Sequence, residues 1–273
     1  MIGIYNSYYG NWISILLLIL GALLWLAFLV CIGLPSVYYK KLILAVDWRR
    51  WDEVLSLIKT LKAIERISVV KIPDSELTRH RARILAATGH LDEAIVLYKV
   101  CEGRPECPSW LYKLFIASLL TTAKQYDRAI EYNLESIREK PTSAAWLDLS
   151  YRYARFKRDP KKAHQAMQEA EKFTLKNIEI PFKARCQGVV AYLEGDYETA
   201  KLELEKALAL VEKVKWRPYK DGHVNITRAY LTCVLAKQGD LTGAKQNFAA
   251  AKEYLTATKE DELIAECRKL IGE

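Results

Sequence analysis

One six-residue pattern recurs along the chain and leaves few folds open to it. "GHLDEA" ends at Ala94, "KQYDRA" at Ala129, "RDPKKA" at Ala163, "GDYETA" at Ala200 and "GDLTGA" at Ala244, after a weaker copy, "RRWDEV", ending at Val54. Successive copies lie 40, 35, 34, 37 and 44 residues apart. Each stands where a helical apolar periodicity of three and four stops and restarts, and no β-like alternation intervenes after Pro35. A lone helix pair cannot hide its apolar face, so a chain that repeats the pair must stack the copies. The expected fold is therefore all-α: about six helix pairs in a solenoid over residues 36–273.

Other positions recur in step with the turn. A small residue falls in the middle of the first helix at Ala82, Ala117 and Gly188, where Leu42, Tyr151 and Thr232 depart from the pattern. Apolar or aromatic plugs follow the turns at Trp51, Leu91, Tyr126, Tyr197 and Leu241, and a second small residue comes later at Cys101, Ser136, Ala170, Ala207 and Ala251. Pro141 ends one unit cleanly. Over roughly Pro35 to Thr256 this pattern resembles the tetratricopeptide-repeat family, whose period is about 34 residues. The segment "KEDELIAECRKLIGE", with Leu263, Ile264, Cys267, Leu270 and Ile271 on one face, is the expected capping helix. "EKVKWRPYKDGHV", Glu212 to Val224, is the expected exposed insertion.

Residues 1–35 have a different composition. No charged side chain occurs from Met1 to Tyr39, and Trp12 to Leu34 is almost wholly apolar. As a helix those 23 residues reach about 34 Å, enough to cross a bilayer's hydrocarbon. A secretory signal needs a basic start and a shorter apolar run, so the expectation is a retained single-pass anchor. Lys40, Lys41, Arg49 and Arg50 follow the span and no cation precedes it, which puts the N-terminus outside and the repeats in the cytoplasm. Tyr5, Tyr8, Tyr9 and Trp12 on one side, and Tyr38 and Tyr39 on the other, are expected at the headgroups.

Nothing in the sequence asks for catalysis. His80, His90, His164 and His223 have no metalloprotease or zinc-finger spacing, and "CEGRPEC" sets Cys101 and Cys107 six apart, unlike a zinc knuckle. Five cysteines lie beyond the anchor without a disulfide framework. No phosphate loop is present. We expect no enzyme, no cofactor and no metal.

The resemblance implies a concave wall made by the first helix of each unit. Carried onto this sequence, its lining positions are Arg79 and Arg83, then Leu111, Leu114 and Ser118, then Asp148, Arg152 and Arg155, then Phe182, Arg185 and Tyr192, and lastly Ile226, Ala229 and Cys233. Such a wall is basic with aromatic patches, and arginine forks pair with carboxylates, so the expected ligand is an acidic peptide or protein surface. The lysine and asparagine clamp with which some members hold chaperone tails is missing. A second basic cluster, Lys157, Arg158, Lys161 and Lys162, stands against the single acid Asp159 in "RYARFKRDPKK". It suits an acidic partner or anionic lipid, and no nucleic-acid reader module accompanies it. The expected function is a membrane-anchored scaffold for other proteins. Its alternatives are a permanent accessory or assembly subunit of a larger membrane complex, and a regulator of envelope biogenesis. The last rests on a likeness to bacterial anchored repeat proteins that control lipopolysaccharide synthesis, whose paired-cysteine metal module this chain lacks.

Overall fold

A computed structural model describes residues 2–214 and 219–273, with side chains from Trp12 onward apart from Ile13. The predicted headgroup positions of Tyr5, Tyr8 and Tyr9 lie outside those side chains, as do residues 215–218 of the predicted insertion. Among the described residues the chain is helical throughout and forms no strand; one antiparallel bridge, Arg104 to Cys107, closes a connection. Helix α1 (Ile2–Phe28) passes through a π turn (Leu29–Gly33) into α2 (Leu34–Asp47). Six hairpins then follow: α2 with α3 (Trp51–Ile64), α4 (Asp74–Ala87) with α5 (Leu91–Lys99), and α6 (Ser109–Thr122) with α7 (Tyr126–Glu139). After them come α8 (Ser143–Lys157) with α9 (Pro160–Glu171), α10 (Glu179–Glu194) with α11 (Tyr197–Glu212), and α12 (Lys220–Lys237) with α13 (Leu241–Ala257). A single helix, α14 (Asp261–Ile271), caps the array against α12 and α13.

The recurring turn has one backbone solution. The first residue of each six-residue copy is left-handed: Arg49, Gly89, Lys124, Arg158, Gly195 and Gly239 all have positive φ, and so does Lys259 before α14. In six of these seven turns the next amide donates five residues back, as from His90 to the Leu85 carbonyl and from Asp196 to the Ala191 carbonyl. This is the bond that closes a helix end when the residue after it is left-handed. Glycine adopts that conformation without steric cost, whereas the arginines and lysines at the other turns carry strain. Asp159, Asp196 and Asp240 then cap the next helix, each carboxylate accepting from the amide three residues on. The alanine that ends each copy has no accessible surface: Ala94, Ala129, Ala163, Ala200 and Ala244, like Val54, lie where the two helices of a pair meet.

The small-residue positions pack as expected. Ala82 and Ala117 are fully buried, and Gly188 lets α11 approach so closely that a Cβ there would sit 2.6 Å from Leu204 Cγ. Ser136, fully buried, donates to the Trp110 carbonyl at 2.6 Å. Two expectations need correction. Leu241 does not plug its turn and is 47% exposed, because only the single helix α14 follows the last pair. Tyr126, one of the plugs that a full pair does follow, stacks on Phe156 at 4.3 Å. The predicted insertion ends early: α12 starts at Lys220, and His223 is buried.

The N-terminal helix is long and apolar enough to cross a membrane, and its side chains from Trp12 to Phe28, where described, are exposed. Pro35 has no amide hydrogen to offer its preceding turn, and the Leu34 amide reaches back five residues to the Leu29 carbonyl, making the π turn. Tyr38 and Tyr39 pack against the cluster of Leu42, Val46 and Leu77 instead of standing free, and the Tyr39 hydroxyl donates to Glu76 at 2.9 Å.

Candidate functional site

The two ends of the array meet. Asp47, the last residue of α2, accepts from the Gly222 amide at 3.1 Å and from the Tyr254 hydroxyl at 3.0 Å. The Trp48 indole donates to Asp221 at 2.7 Å and its ring meets Tyr254 edge-on at 5.2 Å. Arg83 donates to the Tyr219 hydroxyl at 3.2 Å, and Arg49 pairs with Glu260 at 3.6 Å. These contacts join the first two pairs to residues more than 130 positions away, so the two ends of the array meet beside the inner wall. The wall borders a cavity of about 610 Å³ lined by Asp47, Tyr151, Arg155, Phe182, Arg185, Tyr219, Tyr254 and Glu260. A second cavity of about 260 Å³ adjoins it and shares Asp148, Tyr151, Arg155 and Glu260, while adding Arg49 and Arg152.

Most of the arginines predicted for this wall have an internal acidic partner. Arg152 pairs with Asp148 at 3.0 Å and donates to the Thr121 hydroxyl at 3.2 Å. Arg155 pairs with Glu260, donates to the Tyr151 hydroxyl at 2.7 Å and lies over the Phe156 ring at 5.0 Å. Burial works to lower the Arg155 pKa, but Tyr151 and Glu260 outweigh it and hold the guanidinium charged. Arg79 pairs with Glu76 and covers Phe115 at 4.6 Å. Arg83 reaches Tyr219 and Ser118.

Arg185 differs from these. It is 7% exposed and lies 4.6 Å over Tyr151 and 4.8 Å over Phe182. No carboxylate among the described residues pairs with it, and its buried Nε has no hydrogen-bond partner. A guanidinium packed on two rings that tilt against each other at 5.5 Å is oriented beside the cavity and incompletely satisfied, which favours taking up a carboxylate.

The remaining predicted positions divide. Leu114 and Ile226 line the larger cavity and Ser118 the smaller. Ala229 and Cys233 are fully buried under α14, where Cys267 Sγ lies 3.7 Å from Cys233 Sγ and 3.4 Å from the Ala229 carbonyl. Tyr192 is buried as well and donates to Glu266 at 2.7 Å, a carboxylate it shares with Arg158 at 3.1 Å. In the second basic cluster Lys157 pairs with Asp127 at 2.8 Å, Lys162 lies 3.8 Å from Asp159, and Lys161 is exposed. The six cysteines are reduced, and the described residues bring no three His, Cys, Asp or Glu side chains together as metal ligands.

Sequence reasoning did not find Asp47. Burial raises its carboxyl from 3.8 to about 6, while the Gly222 amide and the Tyr254 hydroxyl restrain the rise. The folded value lies above the unfolded one, so the folded chain binds this proton more tightly and gains stability as pH falls through 6, the gain being complete below 4. His80 runs the other way: burial lowers it to about 4, against an unfolded 6.5, and stability is lost as its proton binds to the unfolded chain. His80 is common to wild type and Asp47→Asn, so comparing the two isolates the carboxyl. Moving from pH 7 to 4.5 should favour wild type over Asp47→Asn by about 2 kcal/mol in urea unfolding. A difference independent of pH would mean that Asp47 is not buried at this junction.

What the fold and the cavity define is a helical-repeat protein of six stacked pairs whose ends meet beside an inner wall. No family model matches the chain, and no curated protein matches it. Among solved structures it is similar to the apo form of RapI, at a TM-score of 0.46 and 12% identity, over 87% of this chain and 70% of that one. This likeness is too loose to assign a residue or a role.

Proposed function

We propose that the protein is a tetratricopeptide-like scaffold, anchored by α1 with its N-terminus outside and its repeats in the cytoplasm, that holds an acidic segment of a partner protein against its inner wall. Arg185 is the observation that carries this reading, since it lines the larger cavity over two tilted aromatic rings and pairs with no carboxylate among the described residues. A partner carboxylate there would complete a pair whose geometry is already set. Tyr151 and Phe182 supply apolar surface beside it. No reaction is part of this reading. Tethering alone raises a partner's local concentration at the membrane and makes its next encounter effectively intramolecular.

Placing a photo-crosslinking amino acid at Phe182, in native membranes, tests the proposal. Adducts should map to acidic peptides and disappear in Arg185→Glu, whose helical content should be unchanged. Adducts that persist in Arg185→Glu, or that map to segments without acids, would overturn it. A permanent subunit of a membrane complex is the second reading, supported by the exposure of α1 and by Gly21, where a Cβ would meet nothing within 4 Å. Migration as a stable large species after mild extraction would favour it over exchangeable partners.

A further inference from the structure

The connection between α3 and α4, residues 65–73, is held against the end of the apolar helix. Pro35 has no amide hydrogen to donate, which leaves the Cys31 carbonyl, four residues earlier, without its usual helical partner. The Ser68 hydroxyl supplies one, its single proton shared between that carbonyl at 2.7 Å and the Val70 carbonyl at 2.8 Å, while the Cys31 thiol donates to the Ile67 carbonyl at 3.2 Å. Ser68 is thereby buried, whereas its neighbours Ile67, Val69 and Val70 are 60%, 77% and 39% exposed. Outside α1 and α2, no other four consecutive positions among the described residues expose three large aliphatic side chains. Arg66 and Lys71 flank them and are exposed.

Depth along the helix says what covers this patch. Cys31 lies three residues inside the Leu34 end of the apolar run, and the first cations, Lys40 and Lys41, come nine and ten residues later. At 1.5 Å per residue, the loop is fixed about 4 Å inside the end of the run and about 13 Å to the membrane side of those lysines. A loop at that depth meets lipid rather than water, and a carbonyl freed there has no water to pair with, which is what Ser68 corrects. Aliphatic side chains suit the acyl region, and Arg66 and Lys71 can extend their heads back to the phosphates.

We infer that residues 66–71 form a second membrane contact, a loop whose Ile67, Val69 and Val70 enter the same leaflet that α1 leaves, pinned there by Ser68 on the carbonyl freed by Pro35. This rests on the anchor reading of α1. The contact gives the array a second foothold in the leaflet, which resists tilting of the first pair away from the bilayer surface.

The test uses the full chain in nanodiscs of phosphatidylcholine and phosphatidylglycerol, with p-benzoylphenylalanine placed singly at Val69, at Leu20 in α1, or at Leu202, an exposed site on α11. Mass spectrometry then scores lipid adducts. Val69 should approach Leu20 and exceed Leu202 several-fold, and adding Ser68→Ala should lower the Val69 yield while leaving Leu20 unchanged. Lipid adducts at Leu20 but not at Val69 would overturn the inference and leave the anchor standing. None at Leu20 would remove the anchor itself. Adducts from Val69 to protein, or equal yields at Val69 and Leu202, would also overturn the inference.

Discussion

Gly188→Val should strongly destabilise the fifth pair. In α10, a Cβ at this position would lie 2.6 Å from Leu204 Cγ and 3.2 Å from the Ala200 carbonyl, both on α11. Leu204 and Ala200 are fully buried in the largest core cluster, which also holds Val189, Ala229 and Leu255, so neither can retreat without shifting its neighbours. Even Gly188→Ala, which gains about 1 kcal/mol of helix propensity, should lose stability, since the clash includes backbone. Valine adds two more methyl groups to the same gap. We expect a loss of about 3 kcal/mol or more and a fall in melting temperature of roughly 6–12 °C by circular dichroism. An unchanged melting curve would show that α10 and α11 are farther apart than described.

Gly222→Val should open the ends without unfolding the pairs. The new Cβ would stand 2.6 Å from the Tyr254 hydroxyl and 2.7 Å from Asp47 Oδ1. Both atoms belong to the junction, and relieving the clash separates them: α12 and α13 keep their mutual packing while α2 moves away. Overpacking costs about 1–3 kcal/mol, and each hydrogen bond to the Asp47 carboxylate adds about 1.5–3 kcal/mol if it breaks. The repeat pairs away from the junction keep their cores. Small-angle scattering should report a larger radius of gyration, and hydrogen exchange should rise at Trp48 and Gly222 but not at Ala129 or Ala200. Scattering and exchange identical to wild type would mean that Gly222 does not face Asp47.

The repeated hairpins were legible because their cause is local. A left-handed residue, a cap and a buried alanine must fall within six positions of one another, so the sequence carries them together, at Ala94 as at Ala244. The seventh turn, "KEDELI", has the same left-handed start at Lys259 and shows that α14 is entered by the same device. Leu241 departs from expectation because a plug depends on the unit stacked above it, which the turn itself does not encode. The junction left no periodic trace, since Asp47 and Tyr254 are 207 positions apart and each looks ordinary in its own helix. Of the arginines expected on the wall, Arg152, Arg155 and Arg185 line the two cavities and Arg79 and Arg83 do not, and the repeat pattern could not pair them all. The partner of Arg155, Glu260, comes from the capping segment, which carries no lining position in the repeat pattern.

No loop breaks the run from α1 into α2, and the one carbonyl that Pro35 frees within it, at Cys31, is bonded from outside by Ser68; Asp47, at the far end of α2, lies about 20 Å beyond Leu34. In the anchored protein proposed above, a change of about 5° between this rod and the rest of the array would carry the Asp47 end sideways by roughly 1.7 Å, more than a hydrogen bond tolerates. If α1 spans a bilayer as proposed, the bilayer's thickness, which sets the lean of that helix, would bear on the fit between Asp47, Gly222 and Tyr254 at the mouth of the cavity.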